Sequence, residues 1–182
     1  MDKITIDRIG TLHPKIRKQV LDAYTHVNNR LLGKGVRLRF AHTTRTIEEQ
    51  NELFAQGRTK LFDKKGRRLG IVTKARGGQS IHNYHLAFDI VLLLDRNNDG
   101  VFESASWDTV LDFDKDGIAD WTEVVNYFKS IGFVWGGDWK FKDRPHFEMT
   151  FGHTWRTLQK ELNSGNTFTE VINGKTYTYV KI

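Results

Sequence analysis

Residues 80–94 read Ser80-Ile81-His82-Asn83-Tyr84-His85-Leu86-Ala87-Phe88-Asp89-Ile90-Val91-Leu92-Leu93-Leu94. From Leu86 onward only Asp89 breaks an apolar run, which is far shorter than the roughly 18–20 residues of a membrane span. The run fits a buried strand at the centre of a sheet. With a period of two, Ala87, Asp89 and Val91 share one face, and Phe88, Ile90 and Leu92 share the other. A carboxylate inside such a strand is costly unless it is paired or bound to a metal. His82 lies in the turn that leads into the strand, and a chain that folds back there brings it to Asp89.

Outward from this strand the chain alternates helices and short strands. Pro14, near the first turn of a helix where its missing N–H costs little, opens a periodic run of Ile16, Val20, Tyr24, Val27 and Leu31 that Gly33 and Gly35 stop. Val36, Leu38 and Phe40 alternate with Arg37, Arg39 and Ala41, the pattern of a strand with one buried face. Thr46 followed by Glu49 predicts a capping box and a helix to about Gln56. The segment to Gly78 is loop-rich, with a short strand expected at residues 71–73. A helix is expected at 121–131, short strands at 133–135 and 146–150, and a helix at 154–162. The last residues flank Asn173-Gly174, a strong hairpin signal. The expected class is α+β: one small domain with a central antiparallel sheet flanked by helices. It takes in residues 1–163, with acidic loops inserted at 95–123, and residues 164–182 form a C-terminal β-hairpin packed on the core.

Composition narrows the chemistry. The 182 residues hold no cysteine, so disulfides, thiolate metal sites and cysteine nucleophiles are excluded, and any metal must be held by His, Asp and Glu. Nor do the first residues show the basic and apolar blocks of a signal peptide. A formal charge of +6 concentrates in part between Lys60 and Arg76, where seven basic residues fall in a glycine-rich stretch. A solvated loop explains such a run, and attraction to an anionic cell surface is the functional alternative. No DNA- or RNA-binding motif accompanies it, so nucleic acid is not an expected partner.

A second segment, Asp143-Arg144-Pro145-His146-Phe147-Glu148, matches the first in interest. Proline biases Arg144 toward an extended conformation and sets His146 at the start of a strand, with Glu148 on the same face. His82, Asp89 and His146 together offer three nitrogen and oxygen donors and leave a fourth position for water, the layout of catalytic rather than structural zinc. Spacing alone leaves two readings open, a metal site or hydrogen-bonded structural histidines.

Taken together, Ser80-x-His82-(x)6-Asp89, Trp139 and Asp143-x-Pro145-His146-Phe147 resemble the VanY/endolysin-type zinc peptidases of cell-wall metabolism, whose pattern is S-x-H-x-x-G-x-A-x-D followed by D-x-x-H or E-x-x-H. Arg45-Thr46-(x)3-Gln50 resembles the R-(T/S)-x-x-x-Q segment of that family, and Trp135-Gly136-Gly137-Asp138-Trp139 the segment before its last motif. The resemblance runs from about His13 to Gly152. It implies that His82, Asp89 and His146 are zinc ligands. Asp143 would be the catalytic carboxylate that takes a proton from the attacking water and returns it to the departing amine. Arg45 would stabilise negative charge on the substrate, and Ser80 would hydrogen-bond to substrate or to a ligand. Trp135 and Trp139 are expected near the substrate. Glu148 is the rival base, with orientation of a ligand as its other role.

One position departs from the family pattern. His85 stands where the family has glycine, four residues before Asp89, and a glycine there serves tight backbone geometry. The expectation is a distorted turn, a crowded pocket or a competing ligand.

Two acidic loops carry a separate signal. Asp112-x-Asp114-x-Asp116-Gly117-Ile118-x-Asp120-(x)2-Glu123 fits the twelve-residue calcium loop, with glycine at position six and glutamate at twelve. Asp112, Asp114, Asp116, Ile118 and Glu123 are the expected ligands there. Asp95-x-Asn97-x-Asp99-Gly100 begins alike, with Asp95, Asn97 and Asp99 as candidates, but its twelfth residue is Ser106. Solvated acidic turns are the alternative for both, and calcium at the second loop would order the segment leading to Asp143 and His146.

The resemblance implies a zinc-dependent peptidoglycan hydrolase, most simply one that cuts the L-alanyl-D-glutamate bond of the stem peptide, with Zn2+ as its metal; Ca2+ is the further cation that the acidic loops, not the resemblance, suggest. D-alanyl-D-alanine carboxypeptidase or dipeptidase activity is the alternative with the same metal chemistry, and a non-catalytic calcium- or wall-binding module is the alternative of another class. A monomer acting in the periplasm or outside the cell, or released from a phage-infected cytoplasm, is the expected setting.

Overall fold

The computed structural model describes residues 2–182. These fall into two compact units, one taking in the chain up to Thr43 together with Ala87–Met149, the other Thr44–Leu86 with Thr150–Ile182. The expected α+β class is observed.

The first unit is built on an antiparallel sheet. Strand β1 (Val36–His42) pairs with β2 (Ala87–Leu94), whose far edge is shared by β3 (Ser104–Ser106) and β5 (His146–Glu148), and β4 (Val134–Trp135) closes the order beyond β5. Strand β2 is central and buried on both faces, as its apolar run requires. Phe88 stacks on Phe40 and Phe147 with ring centroids 4.5 and 5.5 Å away, and Phe128 and Phe133 pack at 5.1 and 5.2 Å. This aromatic cluster anchors the strand whose opposite face carries Asp89.

Helix α1 (Lys3–Gly10), absent from the sequence-based expectation, precedes α2 (Pro14–His26). Asp2 caps α1 and ties it to β1, its carboxylate accepting Ile4 N–H, the Thr5 hydroxyl at 2.7 Å and two Arg39 bonds at 2.7 and 3.0 Å. Beyond α2 the helix widens into a π turn at Val27–Leu31, where Leu32 N–H reaches Val27 O. Helix α4 (Asp120–Ser130) then leads into β4.

The second unit contains α3 (Ile47–Ala55), a 3-10 turn at Ile81–Tyr84, α5 (Trp155–Asn163) and the hairpin of β6 (Thr167–Ile172) and β7 (Lys175–Val180). The Thr46–Glu49 capping box forms as the sequence indicates. Residues 71–73 do not form a strand. Ile71 and Val72 are exposed, and with no partner edge a β-branched dipeptide stays irregular. The basic loop around residues 64–68 is exposed, its hairpin-like bend held by Asp63, which accepts Lys65 and Arg67 N–H and pairs with the Arg67 guanidinium. Among the described residues no helix is long and apolar enough to cross a membrane.

Candidate metal centre

Asp89 and His146 are directly cross-strand on β2 and β5, so the antiparallel register brings together residues 57 apart in sequence. His146 Nδ1 lies 3.2 Å from Asp89 Oδ1, and Nε2 lies 3.0 Å from Glu148 Oε2. The imidazole is 6% exposed. Burial alone would push its pKa down, but the hydrogen bonds and charges of Asp89 and Glu148 outweigh that and hold it at about 9. The Trp139 ring packs on the imidazole with centroids 5.1 Å apart, and Trp135 Nε1–H donates to Arg144 O at 2.6 Å.

Asp143 is set by a close turn. Its N–H donates to Gly136 O at 2.9 Å, and its own carbonyl accepts His146 N–H at 3.2 Å. Gly136 is pressed against this turn: a Cβ there would overlap Asp143 O and sit 3.1 Å from His146 Cβ. Here the glycine of the Trp-Gly-Gly-Asp-Trp segment serves backbone approach rather than an unusual φ. The fold thus places Asp143, exposed at one end of β5, three residues before the buried His146.

In the second unit, His82 occupies the 3-10 turn and is 3% exposed. Its carbonyl accepts Arg45 N–H at 3.3 Å, and Asn83 Nδ2 donates to the carbonyls of Arg45 and Thr46 at 2.8 and 3.1 Å. Arg45 Nη1 donates to Gln50 Oε1 at 2.8 Å, while Gln50, fully buried on α3, fixes its own amide on Ala75 O at 2.8 Å. The Arg-Thr-(x)3-Gln spacing is thereby explained, since the glutamine one helical turn on orients the arginine. Tyr84 donates to Gly78 O at 2.6 Å, and its burial pushes the hydroxyl up to about 12. Ser80 supplies the turn's first carbonyl, which accepts Asn83 N–H.

His85 ends the turn in the left-handed region at φ +64°, which accounts for the glycine of the family pattern. Its ring turns to Thr44 Oγ1, 3.0 Å from Nδ1, and packs on Tyr177 and Tyr179 of β7 with centroids 5.9 and 4.6 Å away. The turn closes normally around it, with His85 N–H on His82 O.

Asp89 and His146 bring a carboxylate and an imidazole together in the first unit, and the second unit contributes the buried imidazole of His82. The donors are imidazole and carboxylate, and Glu148 on the other His146 nitrogen is the carboxylate partner that ligating histidines have. That donor chemistry fits zinc.

The acidic loops are partly as expected. In the second, carboxylate oxygens of Asp112, Asp114 and Asp120 lie within 4.8 Å of one another. Asp116 and Glu123, expected ligands, are outside that group, and Asp120, not among the expected ligands, is in it. Asp116 instead caps the loop, accepting Ile118 N–H at 2.8 Å. In the first loop, Asp95, Asp99 and Glu103 group together, Glu103 standing at position nine of the twelve-residue template, and the Asn97 amide donates to Asp99 Oδ2 at 3.0 Å. Burial raises the Asp120 carboxyl, and burial with the charges of Asp116, Asp114, Asp120 and Asp112 pushes Glu123 up to about 7.

A peptidase M15 family model described as D-alanyl-D-alanine carboxypeptidase matches residues 73–149, the stretch that contains His82, Asp89, Asp143 and His146. The peptidoglycan L-alanyl-D-glutamate endopeptidase CwlK of Bacillus subtilis (strain 168) is 47% identical over 139 residues, 76% of this chain and 73% of that protein. Among solved structures, the L-Ala D-Glu endopeptidase ChiX of Serratia marcescens aligns with a TM-score of 0.49 and 19% identity, covering 83% of this chain and 90% of that one. At 47% identity across three quarters of its length, the chain belongs to the M15 peptidases.

Proposed function

We propose that the chain is a zinc-dependent peptidoglycan endopeptidase that cuts the L-alanyl-D-glutamate bond of stem peptides, with His82, Asp89 and His146 as ligands. The observation that carries the reading is the buried His146 flanked by Asp89 and Glu148, in a chain 47% identical to an enzyme of that name. The family is zinc-dependent. Zinc, when bound, polarises the scissile carbonyl and acidifies the attacking water.

The residues divide the remaining work. His146 is held by Glu148 through Nε2, so Glu148 orients the ring, and Nδ1, facing the carboxylate of Asp89, is the nitrogen that would take the metal. Asp143, exposed and rigidly tethered to Gly136, accepts the proton of the attacking water and delivers it to the departing amine of D-glutamate. Arg45, steered by Gln50, stabilises negative charge on the substrate. Trp139, against His146, offers an apolar wall to the stem peptide. The enzyme acts on the wall, outside the cytoplasm.

The test is mass spectrometry of the products from a synthetic stem pentapeptide. Fragments with a new N-terminal D-glutamate support the proposal, whereas released D-alanine assigns the chain to the carboxypeptidase branch instead.

A further inference from the structure

We infer that residues 112–123 form a calcium site, with Asp112, Asp114, Asp120 and Glu123 as its carboxylate ligands and the Ile118 carbonyl as a further oxygen. The inference is independent of the peptidase reading.

Three carboxylates, from Asp112, Asp114 and Asp120, bring one oxygen each within 4.8 Å of the others. An acidic cluster alone is no site, since exposed acids gather without an ion. What distinguishes this one is beneath it. Asp120 is fully buried at the start of α4; Oδ2 accepts Phe113 N–H at 2.9 Å, but Oδ1 has no hydrogen-bond partner. Glu123, one turn further along α4, buries Oε2 without a partner as well. Two unpartnered carboxylate oxygens on one helical turn beside two more acids are expensive unless a cation compensates them.

The loop backbone is already wound for that cation. Asp112 accepts Asp116 and Gly117 N–H at 3.2 and 3.0 Å, and Gly117 takes φ +97°, which keeps the chain curled with its carboxylates inward. Asp114 is held from outside by Gly33 N–H on Oδ2. The donors are all oxygen, in a flexible loop with the glutamate at position twelve. That set suits calcium, which takes six to eight oxygens, better than magnesium, which demands tight octahedral geometry, or zinc, which favours nitrogen. The first acidic loop lacks the decisive feature: Asp95 is wound like Asp112, accepting Asp99 N–H at 3.1 Å and Gly100 N–H at 2.8 Å, but among the described residues no carboxylate oxygen of that loop is buried without a partner.

The experiment is isothermal titration calorimetry of the zinc-loaded full chain with CaCl2 and with MgCl2, alongside thermal unfolding with and without CaCl2. Expected are saturable calcium binding, weaker magnesium binding and a calcium-dependent rise in Tm. Asp120→Asn and Glu123→Gln should each weaken calcium about tenfold or more, and Asp99→Asn should not. Glu123→Gln should also raise Tm in calcium-free buffer, because it removes an uncompensated charge; a purely structural carboxylate would lower it. No heat and no Tm shift with millimolar CaCl2 overturns the inference, as does calcium binding that survives both Asp120→Asn and Glu123→Gln.

Discussion

Asp89 and His146 stand opposite each other on adjacent antiparallel strands, with Oδ1 of one 3.2 Å from Nδ1 of the other. The pair is built from the centre of the sheet, where Phe88 and Phe147, the flanking residues, stack on each other on the opposite face. Core packing on one face therefore fixes side-chain placement on the other.

The same imidazole is held on its second nitrogen by Glu148, which separates the roles of the two nearby carboxylates. Glu148→Gln should weaken zinc affinity by about 10–100-fold, as removal of a ligand's hydrogen-bond partner does. Asp143→Ala should leave zinc affinity intact and lower kcat by about 10²–10⁴-fold. Zinc competition with a chromophoric chelator, paired with kcat, checks both. A larger rate loss in zinc-saturated Glu148→Gln than in Asp143→Ala would reverse the assignment.

Gly136→Ala forces a Cβ into the Asp143 carbonyl. The turn must shift or the variant must bear roughly 1–3 kcal/mol of overpacking. Expected are a lowered Tm and a fall in kcat, while Gly66→Ala in the exposed basic loop, a glycine with open space around it but φ +74°, affects stability and not kcat. Unchanged kcat in Gly136→Ala would mean that the tether does not position Asp143.

His85 adopts a left-handed backbone that glycine takes freely, yet its ring is packed between Thr44 and two tyrosines. His85→Ala loses the packing and keeps the strain, whereas His85→Gly loses the packing and relieves the strain. The alanine variant should accordingly be less stable than the glycine variant by about 1 kcal/mol. Denaturant unfolding of the three proteins reads this ordering, and equal stability of the two variants would refute the strain.

At the N-terminus, burial would raise the Asp2 carboxyl, but hydrogen bonds from Arg39 and Thr5 hold it below its ordinary value. A carboxyl depressed in the folded state contributes stability above its unfolded pKa of about 3.9, and that contribution is lost as pH falls through the folded value. Asp2→Asn should cost about 1–2 kcal/mol at neutral pH, with the difference from wild type shrinking below about pH 4. A pH-independent difference would show that the carboxylate charge contributes nothing.

Much of this was legible in the residues. The buried run with a single carboxylate located β2, the capping box located α3, and Asn173-Gly174 located the hairpin. Helix α1 was not legible, because Ile4, Thr5 and Ile6 are β-branched and weak in helices, and it is held by Asp2 contacts to distant Arg39. The pairing of Asp89 with His146 depends on strand register, which pattern cannot supply across 57 residues. Asp120 was hidden in the same way: position nine of a calcium loop is often met through water, and its burial becomes visible only once α4 is packed.

The central claim is metal-dependent cleavage inside the stem peptide. The direct measurement is the release of N-terminal D-glutamate from purified peptidoglycan by the chelated protein, before and after zinc is restored. The account predicts that cleavage disappears on chelation, returns with zinc, and does not return in His146→Ala. Cleavage that persists in fully zinc-depleted protein would contradict it.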